Sequence, residues 1–157
     1  MAIRSIRTIG DEILTKECKP VKEMTPRTAE LIEDMFETMY EANGVGLAAP
    51  QVGILRQIIV IDVEDGKQYV LINPEILEVS GSQSGSEACL SVPGKSGTVT
   101  RPANVKVRAF DENMKEFTLD ATEYLARAIC HECDHLKGHL YVEFAEGPLE
   151  DVQTEED

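Results

Sequence analysis

His131-Glu132-Cys133-Asp134-His135 places two imidazoles four residues apart, with a carboxylate beside the first. On a helix, positions i and i+4 lie about 40° apart around the axis, so both rings can reach one metal ion while Glu132 flanks them. That is the geometry of a metal-dependent hydrolase, in which an ion acidifies water and a neighbouring carboxylate handles the proton. The same five residues also fit two surface histidines on an amphipathic helix, so other residues must decide.

A catalytic metal ordinarily takes three protein ligands and keeps one position open. In the longer zinc-protease pattern His-Glu-x-x-His-x-x-Gly-x-x-His, Gly138 fits, but Tyr141 stands where the last histidine belongs. His139 lies about 80° off the direction of His131 and follows Gly138, which reads as a helix stop, so it reads as a surface residue. Cys130 and Cys133 form a Cys-x-x-Cys pair whose mean direction is about 150° from that of the histidines. A redox pair would sit at a helix N-terminus, whereas these lie deep in the helix and read as small core hydrophobes. There remains Cys89, in Glu87-Ala88-Cys89-Leu90-Ser91; taken alone, it is more often a buried thiol than a ligand.

The elements that must position these groups are legible in outline. Thr25 to Asn43 reads as a helix: Thr25 caps it, Pro26 suits the first turn, and Ile32, Met35, Phe36, Met39 and Tyr40 recur at helical spacing before Asn43-Gly44 stops it. Ile58 to Val63 and Gln68 to Asn73 flank Glu64-Asp65-Gly66-Lys67 as a hairpin, and strand-like runs follow at Val105 to Phe110 and Lys115 to Leu119. Asp120-x-x-Glu123 resembles a capping box that opens the last helix, and Lys137-Gly138 closes it. Gly81 to Ser86 reads as a mobile loop. Gly44-Val45-Gly46 reads as a turn that also allows a backbone to approach closely; the spacing of a phosphate loop is missing. Helix, strands, then helix favours an α+β fold over alternating βαβ units.

Length and composition set the frame. A chain of 157 residues suits one domain, predicted over 1–145, and 42% hydrophobic with 28% charged residues rules out the disordered class. The mostly acidic segment 146–157 reads as a flexible tail. A net charge of −14 opposes any intimate polyphosphate partner, so direct nucleic-acid recognition is not expected. No membrane span is expected, four cysteines are too sparse for a disulfide framework, and Asp11, Glu12 and Glu17 argue against a transit peptide. The expected location is the cytoplasm.

Three segments together carry a family resemblance: Gly44-Val45-Gly46-Leu47-Ala48-Ala49-Pro50-Gln51, Glu87-Ala88-Cys89-Leu90-Ser91 and His131-Glu132-Cys133-Asp134-His135-Leu136. In order and spacing they resemble the three signature motifs of peptide deformylases. The likeness runs from about Ile6 to Phe144, with Asn73-Pro74 and Arg101-Pro102 also in place. It implies an α+β fold in which the His-Glu-x-x-His helix is surrounded by small mixed or antiparallel sheets. It also implies one divalent metal on Cys89, His131 and His135, with Fe²⁺ as the usual cellular ion and Zn²⁺, Ni²⁺ or Co²⁺ able to substitute. By the same match Glu132 is the general base, and Gln51 with the Leu90 N–H contacts the formyl oxygen. Gly44, Val45, Gly46, Glu87 and Arg101 would lie against the substrate, an N-formyl-methionyl nascent peptide.

The chain departs from the pattern at Ala88, where the family more often has Gly, at Cys130, commonly Gln, and at Cys133, usually aliphatic or aromatic. Many family members also end in a long basic helix that docks on ribosomes; this chain ends in acidic residues, so only transient ribosome proximity is expected. Two other readings stay open at this level. One is a zinc endopeptidase, the other a non-catalytic metal or thiol protein built on Cys130 and Cys133.

Overall fold

The computed structural model describes residues 2–152. The elements run α1 (Pro26–Glu41), β1 (Gly46–Ala48), β2 (Ile58–Ile61), β3 (Tyr69–Ser80), β4 (Gln83–Cys89), β5 (Val92–Arg101), β6 (Asn104–Phe110), β7 (Glu116–Thr122), α2 (Glu123–Leu136) and β8 (Glu146–Asp151). They build an α+β architecture with two antiparallel sheets, one in the order β1-β2-β3-β6-β7 and the other β4-β5-β8.

All four residues of β2 are buried, which requires cover on both faces of the large sheet. Ile58 and Val60 pack with Leu31, Ile32, Met35 and Met39 of α1. Ile59 and Ile61 face the other way, into a core with Ala126, Ile129, Cys130, Cys133 and Leu136 of α2. The sheet therefore lies between the helices, and an uninterrupted Ile-Ile-Val-Ile run is what such a strand demands. Cys130 and Cys133 are core residues, as their direction on the helix predicts, and burial raises the Cys130 thiol to about 11.

Helix α1 starts as expected, with the Thr25 hydroxyl accepting from Thr28 N–H at 3.2 Å and Pro26 in the first turn. Helix α2 does not. Asp120 pairs with Lys106 in the ladder between β6 and β7, so the strand runs on to Thr122 and no side chain caps the helix. The Asp120/Glu123 capping box is overridden by strand pairing. At its far end α2 closes on Gly138, at φ +84°, where a Cβ would lie 2.5 Å from the Thr15 carbonyl oxygen; only glycine permits that approach.

A further expectation is corrected. The segment from Gly81 to Ser86 is not an open loop: from Gln83 on it pairs with β5, Gln83 facing Arg101 and Ser86 facing Thr98. Glu146–Asp151, in the segment expected to be a flexible tail, forms β8 against β5. Lys95 pairs with Asp151, Thr100 Oγ1 donates to Glu146 at 2.7 Å, and Leu149 packs over Gly97. Residues 153–157 of the predicted tail lie outside the described residues.

Candidate metal centre and cleft

Cys89 ends β4, just after the register with β5 slips between Glu87 and Cys89. His131 and His135 lie one turn apart on α2. These two elements, β4 and α2, bring the thiol and both imidazoles together, with one donor atom of each within 4.8 Å of the others. Cys89 Sγ is 3.3 Å from His135 Nε2.

The histidines are held differently. His131 Nδ1 lies 2.8 Å from Glu87 Oε1, which fixes the tautomer with the proton on Nδ1 and leaves the Nε2 lone pair for a metal. Tyr141 stacks on the His131 ring, with centroids 5.9 Å apart. Buried His135 Nδ1 has no partner among the described residues. Burial works against charge on His131, but hydrogen bonds to Cys89 and Glu87 and the charge of Glu132 outweigh it and raise its pKa to about 10. Burial and the neighbouring His131 lower that of His135. The three donor atoms converge, and a thiolate with two imidazoles, one oriented by Glu87, accepts Zn²⁺, Fe²⁺, Co²⁺ or Ni²⁺. The residues present therefore fit a metal.

Glu132 is buried beside this cluster, and its Oε1 has no hydrogen-bond partner among the described residues. Burial raises its carboxyl to about 7. Its Oε2 packs on Gly46, where a Cβ would lie only 2.6 Å away; any side chain there would displace the carboxylate.

Gln51 is clamped in the turn after β1. Its Oε1 accepts the Ala48 N–H at 2.9 Å, and its Nε2 lies 3.0 Å from Ser91 Oγ and 3.6 Å from Cys89 Sγ. Leu90 occupies the two-residue turn between β4 and β5, and its N–H donates to no acceptor among the described residues.

A cleft of about 600 Å³ opens onto the cluster, lined by Gly44, Val45, Gly46, Glu87, Cys89, Leu90, His131 and Glu132. Ala88 also lines it. Gln51 and His135 join through Cys89 rather than as cleft walls. Arg101 does not reach the cleft, and Glu87, although at its wall, has no free oxygen. Arg101 Nε and Nη2 donate to Glu87 at 2.9 Å each, Arg127 Nη1 donates at 2.5 Å, and His131 takes the remaining position. Arg101 Nη1 reaches Asp134 at 2.6 Å. Glu87 and Arg101 thus form an anchor behind His131, and of the two only Glu87 lies at the cleft wall. Burial alone would raise the Glu87 carboxyl, but hydrogen bonds from His131 and Arg101 hold it down at about 2.

Sequence reasoning missed Arg127, Tyr124, Tyr141 and Ser91. The available signal for Arg127 was its place four residues before His131, a cation on the ligand face of an otherwise apolar helix turn.

Comparison with known proteins agrees with this geometry. A sequence profile described as polypeptide deformylase matches residues 3–148. A peptide deformylase of Agathobacter rectalis is 61% identical over 156 residues, covering 99% of this chain and 98% of that one. Another, of Lachnoclostridium phytofermentans, is 54% identical, covering 98% and 96%. The crystal structure of a peptide deformylase from Legionella pneumophila superposes with a TM-score of 0.89 at 43% identity, covering 92% of this chain and 86% of that one. The chain belongs to the polypeptide deformylase family.

Proposed function

We propose that this protein removes the N-formyl group from the N-terminal methionine of newly synthesised proteins, releasing formate, at a metal held by Cys89, His131 and His135. The observation that carries this reading is the Cys-His-His cluster with an unpartnered carboxylate, Glu132, beside it in an open cleft. The His-Glu-x-x-His helix supplies three of those four groups, and the sheets on either side supply the fourth and the walls.

When bound, the ion lowers the pKa of a water and polarises the formyl oxygen. Glu132 takes the proton from the attacking water and delivers it to the departing methionyl nitrogen; a carboxyl near neutrality suits both transfers. Oxyanion donors are at hand in the Leu90 N–H, which has no acceptor among the described residues, and the Gln51 amide, whose clamped Oε1 fixes where Nε2 points. Gly46 lies on β1 and Ser86 to Cys89 on β4, each strand at the edge of its sheet. An extended peptide fits between them as an added strand, with Gly44, Val45 and Gly46 along one side.

Fe²⁺ is the proposed cellular ion, with Zn²⁺, Ni²⁺ or Co²⁺ able to replace it; iron would make Cys89 sensitive to oxygen. Formylated nascent chains as substrates suit a cytoplasmic enzyme that meets the ribosome only transiently. Among the described residues, no helix is long and apolar enough to cross a membrane. The test is anaerobic formate release from formyl-Met-Ala and acetyl-Met-Ala, with metal analysis on the same sample. Formate from the first and no acetate from the second is expected. Internal cleavage of unformylated peptides would instead indicate an endopeptidase, and a metal-loaded protein without turnover would indicate a binding role.

A further inference from the structure

The part of the cleft beside the ligands is not wholly apolar. Tyr124, Ala128 and His131 of α2 line one side and Ser86 and Glu87 of β4 the other, with Arg127 between them. Arg127 is only 6% exposed. Its Nη1 makes all the hydrogen bonds it has among the described residues, to Glu87 Oε2 at 2.5 Å, Val99 O at 3.1 Å and Gly85 O at 3.5 Å. Nε–H and the two Nη2–H donors have no acceptor among the described residues, and Arg127 is one of the residues that line the cleft. Gly85 makes room for this guanidinium: a Cβ there would lie 3.3 Å from Nη2.

We propose that Arg127 donates hydrogen bonds to the side chain of the substrate's first residue, and that the site therefore accepts N-formyl-methionine sulfoxide as well as N-formyl-methionine. The inference rests on the deformylase reading above and adds a substrate class to it. Arg127 stands one helical turn, about 6 Å along the axis, before His131, a distance the unbranched methionine side chain spans. On this wall the Arg127 guanidinium is paired with the Glu87 carboxylate, so that stretch suits an uncharged acceptor. A thioether sulfur is a weak acceptor, whereas a sulfoxide oxygen is a strong one. Methionine oxidises to the sulfoxide and turns an apolar side chain into a polar one, which an all-apolar pocket would reject. The reaction is unchanged: water adds to the formyl carbon, the C–N bond breaks, formate and the free amine leave, and the sulfoxide is not reduced.

The test compares kcat/KM of the metal-loaded protein on formyl-Met-Ala, formyl-Met(sulfoxide)-Ala and formyl-norleucyl-Ala. Norleucine has the same length but no acceptor, so it registers whatever a substitution does to His131 through Glu87. Wild type should hydrolyse the sulfoxide peptide at least as well as the norleucine peptide. Arg127→Leu and Arg127→Lys should each lower the sulfoxide-to-norleucine ratio, the former by about 10-fold or more. A wild type that prefers norleucine over the sulfoxide by 10-fold overturns the proposal without any variant, and so does an unchanged ratio in the variants. Failure of the deformylase reading looks different, because wild type would then release no formate from any of the three.

Discussion

Two buried glutamates flank His131, and their surroundings are opposite. Glu87 and Glu132 are each 5% exposed, and burial pushes both carboxyls up. Behind His131, Glu87 is saturated by Arg101, Arg127 and the imidazole and is held at about 2. In front, Glu132 has an oxygen with no partner and is raised to about 7. The hydrogen bonds from His131 and Arg101 outweigh the push of burial at Glu87 alone. On the proposed reading, the back region orients a metal ligand and the front region exchanges protons with substrate.

The comparison breaks first if the ligand set is wrong. Cys89→Ala removes one of three donors and should abolish both metal retention and turnover, while Cys130→Ala should leave metal content nearly unchanged. Elemental analysis of both variants checks this, and equal loss would move the ligand to the helix. Next, Gln51→Ala should lower turnover by about 10²-fold or more with metal retained, since one oxyanion donor is removed. A near-normal rate would take Gln51 out of the front region. Glu87→Gln should have a smaller and different effect. It weakens metal affinity by about 10- to 100-fold through the loosened His131, and turnover recovers at saturating metal. A titration with Zn²⁺ or Co²⁺ separates that from direct loss of catalysis.

Much of the site was legible because its chemistry is local in sequence. A four-residue spacing on a helix fixes both histidines and Glu132, and the three motifs supply Cys89, Gln51 and Gly46. The back region was not legible, because Glu87, Arg101, Arg127 and His131 converge from β4, β5 and α2, and only tertiary packing shows that Glu87 has no oxygen left for substrate. The helix α1 followed from its cap and helical spacing, and the hairpin between β2 and β3 from the β-rich runs on either side of Glu64-Asp65-Gly66-Lys67. Strand β8 did not, since an acidic segment with Leu149 as its single large apolar residue carries no strand signal and depends on Lys95, Thr100 and Gly97 of β5. The small residues of Gln83 to Ser86 hid β4 for the same reason. Gly and Ser there read as a loop until β5 and Arg127 supply their partners.

The claim that the front carboxylate carries the proton is tested most directly by Glu132→Gln, which keeps the side chain's shape and all three ligands and removes the ionisable group. Metal content and formate release from formyl-Met-Ala are measured on the same sample, alongside the melting temperature. Metal and melting temperature should match wild type while turnover falls by about 10² to 10⁴-fold, the usual worth of general acid and base assistance. A fully metallated variant that works within a few-fold of wild type would show that Glu132 is not the proton carrier.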